Sequence, residues 1–187
     1  MNKIRWLIGT LALVLLLGGA YILYAQFSND HLPNVTYTEK QGETAAGNAV
    51  AAPDFTVENE NGESVMLSDL VGRPVVLNLW ASWCPPCRSE MPDFEEAYQE
   101  YGKDVEFMMV NLTDGSRETV ETAKAFIEDQ GFTFPVYFDT TYDAAIAYQA
   151  SSIPATYFID KESNIIAHAT GALDKTNLIK GIEMIMK

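Results

Sequence analysis

The chain has 187 residues, of which 48% are apolar, and its formal net charge is −14 at pH 7. This length is enough for one domain with a sizeable core and an additional segment. A surface this acidic repels nucleic acid and anionic lipid headgroups, which argues against a polyanion-binding protein. The only two cysteines, Cys84 and Cys87, are too few and too close together to staple a disulfide-rich scaffold.

The amino-terminal part of the chain carries an apolar run. Residues 6–25 are 20 residues without a charged side chain, a length that matches a bilayer at about 1.5 Å per helical residue. Lys3 and Arg5 precede the run, and positive charges of this kind stay on the cytoplasmic side. We therefore predict an uncleaved signal-anchor over residues 1–27, with the following chain outside the cytoplasm. The alternative is a signal peptide cleaved near Gly18-Gly19-Ala20, which exports the domain as well.

Residues 28–52 lack apolar periodicity and predict a flexible tether. Hydrophobic patterning begins at Pro53. The predicted elements, in chain order, are a hairpin over 55–67, a strand over 74–81, a helix over 85–101, a strand over 105–111, a helix over 116–130 with Ser116 as its cap, a strand over 134–138, a helix over 142–148, a hairpin of 155–160 and 165–170, and a final helix that Asp174 caps. Helical crossovers predict a mixed central sheet with helices on both faces, so residues 53–187 form one α/β domain.

The sequence Trp83-Cys84-Pro85-Pro86-Cys87 lies where a buried strand gives way to a helix. Unpaired N–H groups and the helix dipole at that position favour a thiolate on Cys84, the form that reacts in thiol-disulfide exchange. Cys87 follows one turn later and faces the domain interior. The pattern predicts that Cys84 exchanges with a partner and that Cys87 resolves the mixed disulfide. The two prolines remove backbone donors near the sulfurs, which favours a more reducing pair.

Two other uses of the cysteine pair are disfavoured. A zinc site needs four ligands, and only His31 and His168 are present to assist, so we predict no metal. A structural disulfide across two intervening residues constrains very little chain and stabilises little. The sequence also lacks a Gly-rich phosphate fingerprint, which argues against a nicotinamide or flavin cofactor. The redox group is then the Cys84–Cys87 disulfide itself.

Three stretches of the chain, residues 51–92, 134–140 and 152–171, resemble the thioredoxin superfamily. More closely, they are similar to the TlpA/ResA-like membrane-anchored thiol-disulfide oxidoreductases of bacteria. The resemblance covers roughly residues 52–187. It implies a thioredoxin-like fold with an amino-terminal β-hairpin and a helix-containing central insertion, for which residues 116–130 are the candidate. It also implies a cell-membrane location, with the catalytic domain on the extracytoplasmic side.

The resemblance assigns roles to several side chains. Ile153-Pro154 matches the cis-proline loop, which leaves the Ile153 backbone free to pair with an extended substrate. Glu90 is the candidate proton acceptor for Cys87, and the alternative is an ordinary solvated helix charge. Trp83, together with Pro85 and Pro86, is expected to form the substrate platform beside the sulfurs.

Two further positions bear on these roles. Asn78 replaces the buried Asp of cytosolic thioredoxins and cannot take up a proton, which shifts that role to Glu90. His168 is predicted to be a surface strand residue without a catalytic role.

The predicted function is an extracytoplasmic protein-disulfide reductase. By resemblance its substrates are exported proteins, among them apocytochrome c, and a membrane thiol carrier supplies the electrons. The alternative is an oxidant or isomerase of exported disulfides, and a measured reduction potential would distinguish it from a reductase. A peroxiredoxin-like peroxidase is disfavoured because the second cysteine is only three positions away. A tethered binding module with an incidental cysteine pair is the non-enzymatic alternative.

Overall fold

The computed structural model describes residues 15–19, 34–37 and 50–187, and it divides the chain into two compact units, Met1–Leu32 and Pro33–Lys187. In the first unit, residues 15–19 are helical. Within the described residues, no helix combines the length and the apolar character needed to cross a membrane. Most of the predicted anchor over residues 1–27 lies outside the described residues, and the anchor stays a prediction.

The second unit is built from nine strands and four α-helices among its described residues. In chain order they are β1 (Asn34–Tyr37), β2 (Val50–Ala51), β3 (Thr56–Glu58), β4 (Ser64–Met66), β5 (Val75–Trp80), α1 (Pro85–Tyr101), β6 (Glu106–Asn111), α2 (Val120–Gln130), β7 (Val136–Phe138), α3 (Asp143–Ala147), β8 (Ala155–Ile159), β9 (Asn164–Thr170) and α4 (Lys175–Ile185). A 3₁₀ turn, Leu67–Leu70, follows β4.

All nine strands belong to one mixed sheet in the order β1-β9-β8-β5-β6-β7-β3-β4, with β2 also paired to β9. Strands β5, β6 and β7 run parallel, whereas β8 is antiparallel to β5. The predicted mixed sheet with an amino-terminal hairpin, β3–β4, is therefore confirmed. Most of the tether predicted over residues 28–52 lies outside the described residues, and it stays a prediction there; its described pieces, β1 and β2, pair with β9. A strand without a neighbour offers unpaired backbone groups, and segments as short as β1 and β2 can pair with them without showing apolar periodicity.

One predicted helix begins at the wrong residue. Helix α2 starts at Val120 with Thr119 as its cap, whereas the sequence predicts a start at Ser116. The side chain of Thr119 accepts from the backbone N–H of Thr122, which closes the first turn there. Residues 114–118 stay in a loop because the side chain of Glu118 turns into the core. Every other predicted element after residue 53 is present, with bounds that differ by at most two residues.

The central strand β5 is buried along its whole length and separates two apolar clusters. Val76 and Trp80 face the cluster beneath the three long helices, α1, α2 and α4. Leu77 and Leu79 face the cluster formed with the β3–β4 hairpin and α3. The alternation follows the period of two of a strand, and it puts Asn78 on the same side as α1.

The strand directions also decide where chemistry can occur. The carboxyl ends of the parallel strands β5 and β6 and the amino end of antiparallel β8 meet at one edge of the sheet. Three chain segments leave or enter the sheet there: the Cys84–Cys87 segment, the loop after Asn111, and the Ile153-Pro154 segment. This is the edge at which open α/β sheets bind ligands.

Helix α4 packs closely on the sheet through Gly181. A methyl group at this position would overlap the ring of the fully buried Phe158. We expect Gly181→Ala to lower the free energy of unfolding by about 1–3 kcal/mol, because neither the helix nor the ring can move without opening the core. Chemical denaturation measures this loss, and the exposed Glu183→Ala on the same helix is the matched control. Equal stability of the two variants would show that the packing adjusts without cost.

Candidate functional site

Cys84 and Cys87 form a disulfide at the start of α1, with their Cα atoms 5.3 Å apart. Cys84 is the cap residue of this helix, and its sulfur accepts from the backbone N–H of Cys87 at 3.3 Å. Pro85 occupies the first helical position, where the absence of an N–H group costs nothing. Both cysteines are buried, but Cys84, at 3% exposed, borders an open groove, whereas Cys87 does not. This asymmetry matches the expectation that a partner meets Cys84.

The cis-proline loop lies directly against the pair. The Ile153–Pro154 peptide bond is cis, which confirms the prediction. The carbonyl oxygen of Ile153 lies 3.6 Å from the Cys84 sulfur. The carbonyl oxygen of Pro154 is occupied by the backbone N–H of Gly171 at 2.9 Å, which ties the loop to the end of β9. The Ile153 backbone is thus held beside the reactive sulfur.

An open groove of about 460 Å³ runs past Cys84. The redox segment lines it with Trp83, Pro85 and Pro86. The remaining lining residues come from later segments: Leu112, Asp114, Tyr142 and residues 150–153. Trp83 remains 38% exposed, so its ring is accessible from the groove. Pro154 differs from the other predicted substrate-binding residues, because it is buried beneath the loop and does not line the groove.

Glu90 lies three residues after Cys87, on the face of α1 that packs on the sheet. Only 2% of the residue is exposed, so the alternative of a solvated helix charge is wrong. One carboxylate oxygen accepts from Asn78 Nδ2 at 2.9 Å and the other from the backbone N–H of Leu173 at 2.7 Å. Burial raises the pKa of Glu90 to about 8, and the two hydrogen bonds only partly offset this rise. The carboxyl group is therefore mostly protonated at neutral pH.

Asn78 is the partner that adjusts to the charge on Glu90. Its Nδ2 donates to Thr156 Oγ1 at 3.0 Å as well as to Glu90, and its Oδ1 is buried without a hydrogen-bond partner among the described residues. The orientation of an amide is interchangeable by a half turn about its last bond. Turned over, Asn78 presents Oδ1 as an acceptor for the proton of neutral Glu90. Asn78 itself takes up no proton.

Sequence reasoning missed two residues of the site. Glu118 is fully buried, and its carboxylate accepts from the backbone N–H and the hydroxyl of Ser82. The guanidinium of Arg117 lies 3.6 Å over the centre of the Trp83 ring. The available signal was an acidic residue in the segment after β6, at the sheet edge that carries the cysteines. His168, by contrast, stacks on Tyr157 in the β8–β9 pair and does not line the groove.

The chain is similar to known proteins both in sequence and in fold. The AhpC/TSA family matches residues 49–168. "Thiol-disulfide oxidoreductase ResA" of Geobacillus kaustophilus is 34% identical over 174 residues, which are 92% of this chain and 91% of the relative. Among solved structures, StoA of Bacillus subtilis superposes with a TM-score of 0.61 at 25% identity, over 72% of this chain and 99% of StoA. A DsbF homologue of Corynebacterium diphtheriae gives 0.65 at 28% identity, over 79% and 97% of the two chains.

Proposed function

Because this chain belongs to the AhpC/TSA family of thioredoxin-like proteins, we propose that it is a thiol-disulfide oxidoreductase acting through Cys84 and Cys87. The observation that carries the proposal is a disulfide at a helix start that opens on a groove beside the Ile153 backbone. An extended polypeptide can pair with such a backbone while its own disulfide approaches Cys84. The relatives' names support the same chemistry.

The reaction proceeds in two exchange steps. The thiolate of reduced Cys84 attacks one sulfur of a substrate disulfide, a mixed disulfide forms, and the first substrate thiol leaves. Cys87 then loses its proton and attacks the Cys84 sulfur, which releases the second substrate thiol. The Cys84–Cys87 disulfide of the structure is the oxidised product of this sequence. Two electrons pass to the substrate, and an external dithiol restores the reduced enzyme.

Glu90 is proposed to accept the proton that Cys87 loses in the second step. It follows Cys87 by three positions on one helix, so the two side chains project from the same face of α1. A pKa of about 8 lies close to ambient pH, where a general base transfers protons most effectively. Burial separates Glu90 from bulk water, and its hydrogen-bond partners are Asn78 and the backbone of Leu173.

We extend the proposal to a reductant that residues 1–27 anchor in a bacterial cell membrane, with the domain on the extracytoplasmic side. Its substrates would be exported proteins, apocytochrome c among them, and a membrane thiol carrier would supply the electrons. The uncharged run of residues 6–25 supports the location. Pro85 and Pro86 support the direction, because they leave Cys87 N–H as the first backbone donor available to the Cys84 sulfur. A thiolate with fewer donors makes the pair more reducing.

The reduction potential of the full-length chain tests this direction. Equilibration with glutathione or dithiothreitol buffers is expected to give a value near that of thioredoxin, about −270 mV. A value near about −120 mV would instead make the protein an oxidant of exported disulfides. A hydrogen peroxide consumption assay on Cys87→Ser, which keeps Cys84 as the sole thiol, is expected to show no turnover and so to exclude the peroxidase alternative.

A further inference from the structure

Three hydrogen-bond donors converge on the buried carboxylate of Glu118. The backbone N–H of Ser82 and the side-chain amide of Asn111 donate to one oxygen, at 2.9 and 2.7 Å. The hydroxyl of Ser82 donates to the other oxygen at 2.7 Å. Asn111 ends β6, whereas Ser82 belongs to the segment that leads from β5 to the cysteines. Glu118 therefore joins the redox segment to the neighbouring parallel strand.

Ser82 occupies the corner of a tight turn. The backbone N–H of Cys84 donates to the carbonyl oxygen of Ala81 at 3.1 Å, which closes a four-residue turn with Ser82 and Trp83 at its centre. A buried acceptor on the backbone of Ser82 restricts rotation of this turn. Because Cys84 is the last residue of the turn, the position of its sulfur depends on the same contact.

The loop that carries Glu118 also contacts the turn from outside. Asp114 accepts from the backbone N–H groups of Ser116 and Glu118, at 2.7 and 2.9 Å, and these bonds fold residues 114–118 into a compact loop. The loop directs Glu118 inward and leaves the neighbouring Arg117 exposed, with its guanidinium over the Trp83 ring. A cation on an aromatic face is attracted by the ring's negative π face. The loop of residues 114–118 thus contacts the turn at two places, the backbone of Ser82 and the ring of Trp83.

We propose that Glu118 is a positioning residue of the redox site, which with Arg117 fixes the Ser82–Trp83 turn so that Cys84 meets a substrate disulfide. This inference rests on the proposed function, since it concerns the same pair of sulfurs. Glu118 does not touch the substrate; it acts through Ser82. Its effect is to hold the Trp83 ring, which lines the groove, and the Cys84 sulfur at fixed positions relative to Ile153.

The test compares Glu118→Ala with Glu118→Gln. Alanine removes the acceptor, whereas glutamine keeps an oxygen for Ser82 N–H and an amide that the rotatable Ser82 hydroxyl can accept from. For Glu118→Ala we expect the KM for a peptide disulfide to rise at least about fivefold, and the pH profile of Cys84 alkylation by iodoacetamide to change. Glu118→Gln is expected to retain both properties of the parent. Alkylation is measured in a Cys87→Ser background, so that Cys84 is the only thiol.

Glu95→Ala is the matched control. Its half-buried carboxylate also accepts several hydrogen bonds, from the backbone N–H groups of Thr133 and Phe134, the hydroxyl of Thr133 and the side-chain amide of Gln99, but further along α1 and away from the cysteines. A role in stability alone predicts that Glu95→Ala and Glu118→Ala have the same KM and the same alkylation profile. A role through charge alone predicts that Glu118→Gln behaves like Glu118→Ala. Either result overturns the proposal.

Arg117→Met keeps the test decisive if Glu118→Ala does not fold, because Arg117 is exposed and its removal leaves the core intact. We expect a KM increase of about threefold for the peptide disulfide and no change for a small aromatic disulfide reagent. An unchanged peptide KM would contradict the positioning role. If the parent protein exchanged no disulfide at all, the proposed function would fail, while the alkylation profiles would still report on the positioning of Cys84.

Discussion

Replacing Cys87 by serine is expected to turn the protein into a trap that holds its substrate through Cys84. The first exchange step needs only the Cys84 thiolate, whereas release of the substrate needs Cys87. Turnover should therefore fall by on the order of a thousandfold or more, while a mixed disulfide accumulates. Non-reducing electrophoresis of cells that express the variant, followed by mass spectrometry, measures the adduct, and a disulfide-reduction assay on the purified variant measures turnover. The adduct also identifies the physiological substrate, including apocytochrome c if the proposal for it is right.

Cys84→Ser is the control for this trap, since it keeps the buried thiol and removes the one that borders the groove. It should form no adduct and show no turnover. Because Cys87 is fully buried, a hydroxyl there can disturb packing, and Cys87→Ala serves as the second trapping variant. Adducts that form through Cys87 in Cys84→Ser would reverse the assignment of the two sulfurs. A fully active double variant would favour the binding-module alternative.

Replacing Glu90 by glutamine is expected to slow the second exchange step and to remove its dependence on pH near 8. At pH 7, a carboxyl group with a pKa of about 8 is ionised in about one molecule in ten, and this fraction rises with pH. Glutamine has no ionised form and cannot accept the proton of Cys87. Loss of a general base costs about a hundredfold or more in rate. Stopped-flow measurement of mixed-disulfide resolution between pH 6 and pH 9 gives both the rate and the inflection.

Glu90 also makes stability depend on pH. Its pKa is about 8 in the folded protein and near the ordinary value of 4.5 in the unfolded chain. Between these values the unfolded chain binds fewer protons, so stability decreases as pH rises through this window. The loss is on the order of a few kcal/mol at pH 9 relative to pH 4.5, and it should be absent in Glu90→Gln.

The exposed Glu96→Gln on the same helix is the control, and it should retain both the inflection and the pH-dependent loss of stability. An inflection near pH 8 that persists in Glu90→Gln would assign the proton transfer to another group. A flat stability profile in the parent protein would mean that Glu90 titrates near its ordinary pKa. Stopped-flow rates test the first outcome, and urea denaturation at several pH values tests the second.

The redox motif and most of the elements were predictable because their signals are local. Pro85 in the first turn indicates where the helix after Cys84 begins. Gly131 indicates where α2 ends, because its φ of 71° favours glycine. The apolar run of β5 predicts a strand buried on both faces, as found. The predicted start of α2 was wrong because, from the sequence alone, Ser116 is as suitable a cap residue as Thr119. The choice between them depends on Glu118, which reaches across to Ser82.

The sequence by itself determined the pair of cysteines, their place at a strand-to-helix junction and the succession of elements along the chain after residue 53, since each depends on residues within a few positions of one another. Only the tertiary structure decided the raised pKa of Glu90, the hydrogen-bond partners of Asn78 and the burial of Glu118. The reason is physical: burial and hydrogen bonding are supplied by distant segments, as when the backbone of Leu173 meets Glu90 across 83 positions of the chain. A local pattern specifies which groups are present, and the packed fold sets the charge and geometry with which they act.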